Sequence, residues 1–124
     1  MVWYPTADDV ICANIEVLDL TGDKHPHKIL GSREGIQAVI DRVNRDGGGL
    51  THQAALLMRE LVSIHAFDGA NHRTAYIVAK TFLLRNGGRF RIDGLDVAYP
   101  FIKNIENKTI EEIQRWIEHG QENL

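Results

Sequence analysis

One eleven-residue stretch gathers more chemistry than the rest of the chain: His65-Ala66-Phe67-Asp68-Gly69-Ala70-Asn71-His72-Arg73-Thr74-Ala75. Imidazole is the side chain whose ordinary pKa lets it take a proton near neutral pH, so His65 is a candidate general base. Asp68-Gly69 is a turn dipeptide, and a helical pattern resumes directly after it. The first N–H groups of a helix have no partner within it and carry the positive end of its dipole, which makes them an anion site. Asn71 and Arg73 add a neutral and a charged donor suited to phosphate oxygens. A base beside a phosphate cradle is the equipment for transferring a phosphorus group to a hydroxyl. Each residue also has an ordinary structural reading: His65 as a dipole partner at a helix C-terminus, Asn71 as an N-cap, Arg73 as a surface arginine and Phe67 as core.

The elements that must position this stretch follow the helical period. Thr6 and Asp9 are spaced as a capping box, and Ile11, Ile15 and Leu18 line one face of a helix expected over about 7–20, closed by Gly22. Asp23 to Lys28 is polar, contains Pro26 and reads as an exposed loop. Ser32 can cap a second helix carrying Ile36, Val39, Ile40 and Val43 at i, i+3, i+4 and i+7, which Gly47-Gly48-Gly49 ends. Thr51 starts a third, with Ala54, Leu57, Leu61 and Ile64 as its apolar stripe and His65 near the stripe at its end. Residues 71–86 leave little polar face, which places that helix in the middle of a bundle. Arg89 to Asp93 alternates and suggests a short extended segment or hairpin arm, while Asp96 to Asn104 suggests a helix bent near Pro100. Thr109 and Glu112 form a last capping box ahead of Ile110, Ile113, Trp116 and Ile117. The expected fold class is all-α, a bundle of about six helices around a buried central helix with a short flap or hairpin segment, over one domain, 1–124.

Composition bounds the function. With 124 residues, 44% hydrophobic and 25% charged, the chain is in the ordinary range for one domain. The single Cys12 excludes an intrachain disulfide, and the start Met1-Val2-Trp3-Tyr4-Pro5 lacks the pattern of a signal peptide, so the expectation is a cytoplasmic protein without a membrane span. A formal net charge of -3 disfavours nucleic-acid binding, which needs a broad basic surface. Between Gly69 and Ile92 there is nevertheless no carboxylate, while Arg73, Lys80, Arg85, Arg89 and Arg91 fall there. Such a run either attracts a polyanion or forms a solvated basic face. His25 and His27 could be a metal pair or part of a flap; His52 and His119 read as solvent-facing.

Taken together the motif resembles the Fic/Doc family, whose signature in the Fic branch is His-x-Phe-x-Asp/Glu-Gly-Asn-x-Arg-x-x-Arg. His65, Phe67, Asn71 and Arg73 match at the required spacings, and Ala70-Asn71-His72-Arg73-Thr74-Ala75 is closest to the Ala-Asn-Lys-Arg-Thr-Ala of the Doc branch. Leu83-Leu84-Arg85-Asn86-Gly87 and the stretch from Gly31 to Val43 are also similar to Doc. The resemblance implies a helical fold whose motif loop binds ATP and Mg2+. It implies that His65 deprotonates a Ser, Thr or Tyr hydroxyl of a target protein, and that Asn71 and Arg73, with the amides of Gly69, Ala70 and His72, hold phosphates. The Doc branch implies a toxin that moves the terminal phosphate of ATP to elongation factor Tu and arrests translation, restrained by a small antitoxin whose helix lies in a groove. Two alternatives are AMP transfer of the Fic kind and a binding module without catalysis.

The family's flap, which positions target backbone, falls here around His27 to Ser32, with His27, Lys28, Ile29 and Leu30 as docking residues. Three departures matter. The family's acidic metal ligand sits four residues after the histidine, where this chain has Gly69; Asp68 lies one position early and would serve magnesium only after the loop rearranges, the alternatives being a weakened site or a metal held by phosphates and water alone. His72 stands where Fic has glycine and Doc lysine, and Tyr76 where Fic has its last arginine, a loss shared with Doc. No Ser or Thr is followed four residues later by Glu, so the inhibitory segment of many Fic proteins is missing and inhibition is expected in trans.

Overall fold

A computed structural model describes residues 1–123 of the chain. Six helices follow one another: α1 (Ala7–Thr21), α2 (Arg33–Arg45), α3 (Leu50–Ser63), α4 (Asn71–Arg85), α5 (Leu95–Ile102) and α6 (Ile110–His119), with one 3-10 turn (Ile105–Asn107) between the last two. Among the described residues there is no strand, and no helix is long and apolar enough to cross a membrane. The class is all-α, as the periodicity predicts.

Local signals account for most boundaries. Thr6 and Asp9 form a reciprocal capping box on α1, Thr109 and Glu112 another on α6, and the Ser32 hydroxyl accepts from the Gly35 N–H at the start of α2. Gly22 and Gly120 close α1 and α6 in the left-handed conformation, at φ 69° and 80°. Sequence and structure differ at three places. α3 begins at Leu50, with Gly49 rather than Thr51 at its boundary. Arg89–Asp93 forms no hairpin arm; the Arg91 N–H reaches the Ile117 carbonyl at 2.8 Å, which ties this loop to α6 without a ladder. The helix containing Pro100 stops at Ile102, and a separate 3-10 turn follows.

Packing places α4 against α1, α3 and α5, while α3 also meets α2 and α6, so α3 and α4 share the centre. α3 buries both sides of its expected stripe: Ala55, Leu56, Met58 and Val62 join Ala54, Leu57 and Leu61. On α1 the buried line runs Val10, Asn14, Val17 and Leu18, one residue round from the expected Ile11–Ile15 face. An aromatic chain then joins α4 to the C-terminal elements. Tyr76 meets Phe90 edge-on at 5.3 Å, Phe90 meets Trp116 at 5.7 Å, and Trp116 stacks on Phe101 at 4.2 Å. Trp3 is tied to Asn86 by two backbone hydrogen bonds and lies under the Arg85 guanidinium, and Tyr4 stacks on Phe82. The N-terminal aromatics are therefore part of the bundle.

Candidate functional site

The loop between α3 and α4 departs from ordinary geometry at two non-glycine residues, His65 at φ 48° and Ala70 at φ 59°. Left-handed backbone costs roughly 1–3 kcal/mol at a residue with a side chain, so the surrounding contacts must fix it. At His65 it turns the chain out of α3, and the side chain stands exposed beyond the helix end rather than on the apolar stripe. At Ala70 it aims the chain into α4: the first helical bond runs from the Thr74 N–H to the Ala70 carbonyl, at 2.9 Å. The N–H groups of Asn71, His72 and Arg73 precede that bond, at the open start of the helix.

Asn71 is not an N-cap. It is the first residue of α4, and its side chain clamps Phe67: Oδ1 accepts from the Phe67 N–H at 3.0 Å and Nδ2 donates to the Phe67 carbonyl at 2.9 Å. One Nδ2 hydrogen remains for a ligand. A second clamp comes from Asn14, buried in α1, whose Nδ2 donates to the Gly69 carbonyl at 2.9 Å and to Thr74 Oγ1 at 3.1 Å. Sequence reasoning missed Asn14; the available signal was a polar residue at i+4 from Val10 on a face that α1 buries. Asn14→Ala leaves a buried carbonyl without its donor, which costs about 1–3 kcal/mol. The expected result is a lower unfolding midpoint in urea with faster hydrogen exchange at residues 69–74.

The flap region reaches the same loop. Ile29 and Phe67 form an isolated antiparallel bridge, made by the Leu30 N–H on the Ala66 carbonyl at 2.8 Å and the Asp68 N–H on the Lys28 carbonyl at 3.2 Å. In this register the N–H and C=O of Ile29 itself point away from Phe67, toward an open edge. His25 and His27 form no metal pair. Each faces its own carboxylate, His25 Nδ1 with Asp23 at 2.5 Å and His27 Nε2 with Asp19 at 3.0 Å. His52 is half-buried against Asp46 at 2.7 Å rather than solvent-facing, while His119 is exposed.

Arg73 sits with its guanidinium 4.5 Å from the centre of the Tyr99 ring and lines a groove of about 740 Å³ beside α4, with Leu20, Ile77, Lys80 and Val97. The five cations of the carboxylate-free stretch do not converge on one place, although Arg73 and Lys80 share the groove. Lys80 is paired with Asp93, Arg85 lies on Trp3, and Arg89 and Arg91 line a separate hollow beside Glu118. Of the five, Arg73 is the one within the motif itself, and its guanidinium lies over Tyr99 of α5. His72 is held below the ordinary histidine range, chiefly by burial, with the positive charges of its surroundings adding to the effect against Glu106.

A magnesium ion at this loop would rest on Asp68 after the loop rearranges, or on the phosphates and water alone, since no carboxylate stands at residue 69. Gly69 occupies the position of the family's carboxylate, and a Cβ built there would lie 2.5 Å from Cγ of His25. Asp68 is engaged through its backbone with the flap, and among the described residues no group of three His, Cys, Asp or Glu side chains could hold a metal ion.

No curated protein and no solved structure matches the chain. A family model described as Fic/DOC family matches residues 21–83, a span that begins at the end of α1, runs through the flap and α2, and takes in the clamped loop and nearly all of α4. That span is just over half of the 124 residues and contains His65, Phe67, Asn71 and Arg73 in their motif positions, so the chain belongs to the Fic/DOC family.

Proposed function

We propose that the chain is a Doc-like toxin, acting as a single catalytic domain in the cytoplasm, that transfers the terminal phosphate of ATP to a hydroxyl of a translation protein of the elongation factor Tu kind. The observation that carries this reading is the pairing of an exposed, outward-turned His65 with the open start of α4 one clamped loop away. In the proposed step the target hydroxyl oxygen bonds to the terminal phosphorus as the bond to the bridging oxygen breaks. His65 takes the hydroxyl proton and ADP leaves. Arg73 and the N–H groups of residues 71–73 hold the phosphate oxygens, which is most of what phosphoryl transfer asks of a protein. Ile29 supplies the unpaired edge on which an extended target segment adds as a strand, flanked by His27, Lys28 and the exposed Leu30.

The groove beside α4, with Leu20 and Val97 exposed on its rims, suits the helix of a small antitoxin acting in trans. Fic-type AMP transfer uses the other end of the same triphosphate and is separated by labelling. Expression in growing cells tests the reading: protein synthesis, followed by pulse labelling, should stop with the wild type and continue with His65→Ala. Equal arrest by both would remove His65 as the base.

A further inference from the structure

Helix α5 is poorly equipped to place itself. It has eight residues, Gly94 at its start stands at φ 104°, and Pro100 inside it has no N–H to donate to the Asp96 carbonyl. Contacts with α4 and α6 fix it instead. At its start the hydroxyl of Tyr76, a buried residue of α4, donates to the Ile92 carbonyl at 3.0 Å and accepts from the Gly94 N–H at 3.1 Å. Just before the helix Asp93 pairs with Lys80 of α4, and at its end Phe101 stacks on Trp116 of α6. Held in this way, α5 buries Ala98 and Ile102 and leaves Tyr99 37% exposed. The Arg73 guanidinium lies over that ring, 4.5 Å from its centre. Among the described residues Arg73 enters no ion pair. A guanidinium on a ring face uses its flat side, so its N–H donors stay open at the edge.

We infer that Tyr99 is a positioning residue for Arg73, and that the Tyr76 hydroxyl sets Tyr99 in place by holding the start of α5. The inference rests on the triphosphate reading proposed above. A free arginine side chain is spread over many rotamers, and each bond it makes to a phosphate oxygen must offset the freedom it loses. A ring that fixes the guanidinium before the ligand arrives removes part of that cost and leaves the donors available. Tyr76 acts at one remove, through the backbone of Ile92 and Gly94. Another aromatic ring should therefore serve at residue 99, where the face matters, while phenylalanine should not serve at residue 76, where the hydroxyl does.

Two measurements on the full chain test this: the NMR resonance of the Arg73 Nε–H group, assigned by its loss in Arg73→Lys, and calorimetric binding of ATP and of tripolyphosphate in Mg2+ buffer. In the wild type the ring current of Tyr99 should displace that resonance from the position of a solvent-exposed arginine. Tyr99→Phe should keep both the displacement and the affinity. Tyr99→Leu, apolar but without a ring, should lose the displacement and weaken both ligands about two- to fivefold, the value of one exposed cation–π contact. Tyr76→Phe keeps the edge-on contact with Phe90 and so the core, and should reduce the displacement and the affinity together. With Arg73→Ala in the same chain, neither Tyr99→Leu nor Tyr76→Phe should weaken binding further. Losses that persist without Arg73, Tyr99→Phe as damaging as Tyr99→Leu, or a Tyr76→Phe chain with wild-type resonance and affinity would overturn the inference and leave the triphosphate reading standing. A wild type that binds neither ligand would overturn both.

Discussion

His65→Ala should lower the rate of phosphate transfer by a factor of about 10²–10⁴, the usual contribution of a positioned general base, while leaving nucleotide affinity within a few-fold. The separation follows from the geometry. His65 lies beyond the end of α3, before the bridge to the flap, whereas the proposed phosphate donors lie at the start of α4. Its side chain is exposed and makes no hydrogen bond that secures the fold, so its removal takes away a proton acceptor without loosening the cradle. Single-turnover transfer and calorimetric binding, measured on the same preparation, check both halves. Loss of binding in parallel with loss of rate would mean that His65 holds the ligand instead of activating the hydroxyl.

Arg73→Ala should have the next largest effect, a fall of about 10²–10³ in kcat/KM, because in the proposed reaction its guanidinium meets the charge that develops on the phosphate oxygens in the transition state. Tyr99 and Asp23 flank Arg73, the first by stacking at 4.5 Å and the second by its charge, so the side chain is held ready. Arg73→Lys keeps the charge but not the planar fork or the stacking, and should recover only part of the loss. Steady-state kinetics across the pair separates charge from geometry: full recovery by lysine would reduce the role of Arg73 to a point charge, and an alanine variant within threefold of the wild type would remove it from the site.

Periodicity and caps were legible because both are local. Thr6 with Asp9, Ser32, Thr109 with Glu112, and the line Ile36, Val39, Ile40, Val43 all lie within a few residues of what they determine, and each does what its spacing predicts. The 3-10 turn at Ile105–Asn107 was not legible, since a turn this short has no period of its own and is set by the burial of Ile105 against α3. In the site, the motif residues were readable by spacing, but what holds them was not. Asn14 reaches Gly69 across 55 positions of sequence, His25 covers Gly69 from the flap side, and Asn71 spends its amide on Phe67 rather than on its own helix. These contacts depend on how α1 and the flap pack against the loop, which no local pattern encodes. The excess of positive charge over 69–92 is divided in space: Arg73 and Lys80 share the groove beside α4, Arg85 lies on Trp3, and Arg89 and Arg91 follow the end of α4 and line a hollow beside Glu118.

The central claim is that the loop from His65 to Arg73 moves a phosphorus group from ATP to protein. Its most direct test is one incubation of the wild-type chain with a cell extract and ATP labelled at either the α or the γ phosphate, beside His65→Ala. Protein-bound label from the γ position alone, absent with His65→Ala, is the expected result. Label from the α position would convert the reading to AMP transfer, and no label from either position with a well-folded wild-type chain would contradict catalysis by this loop.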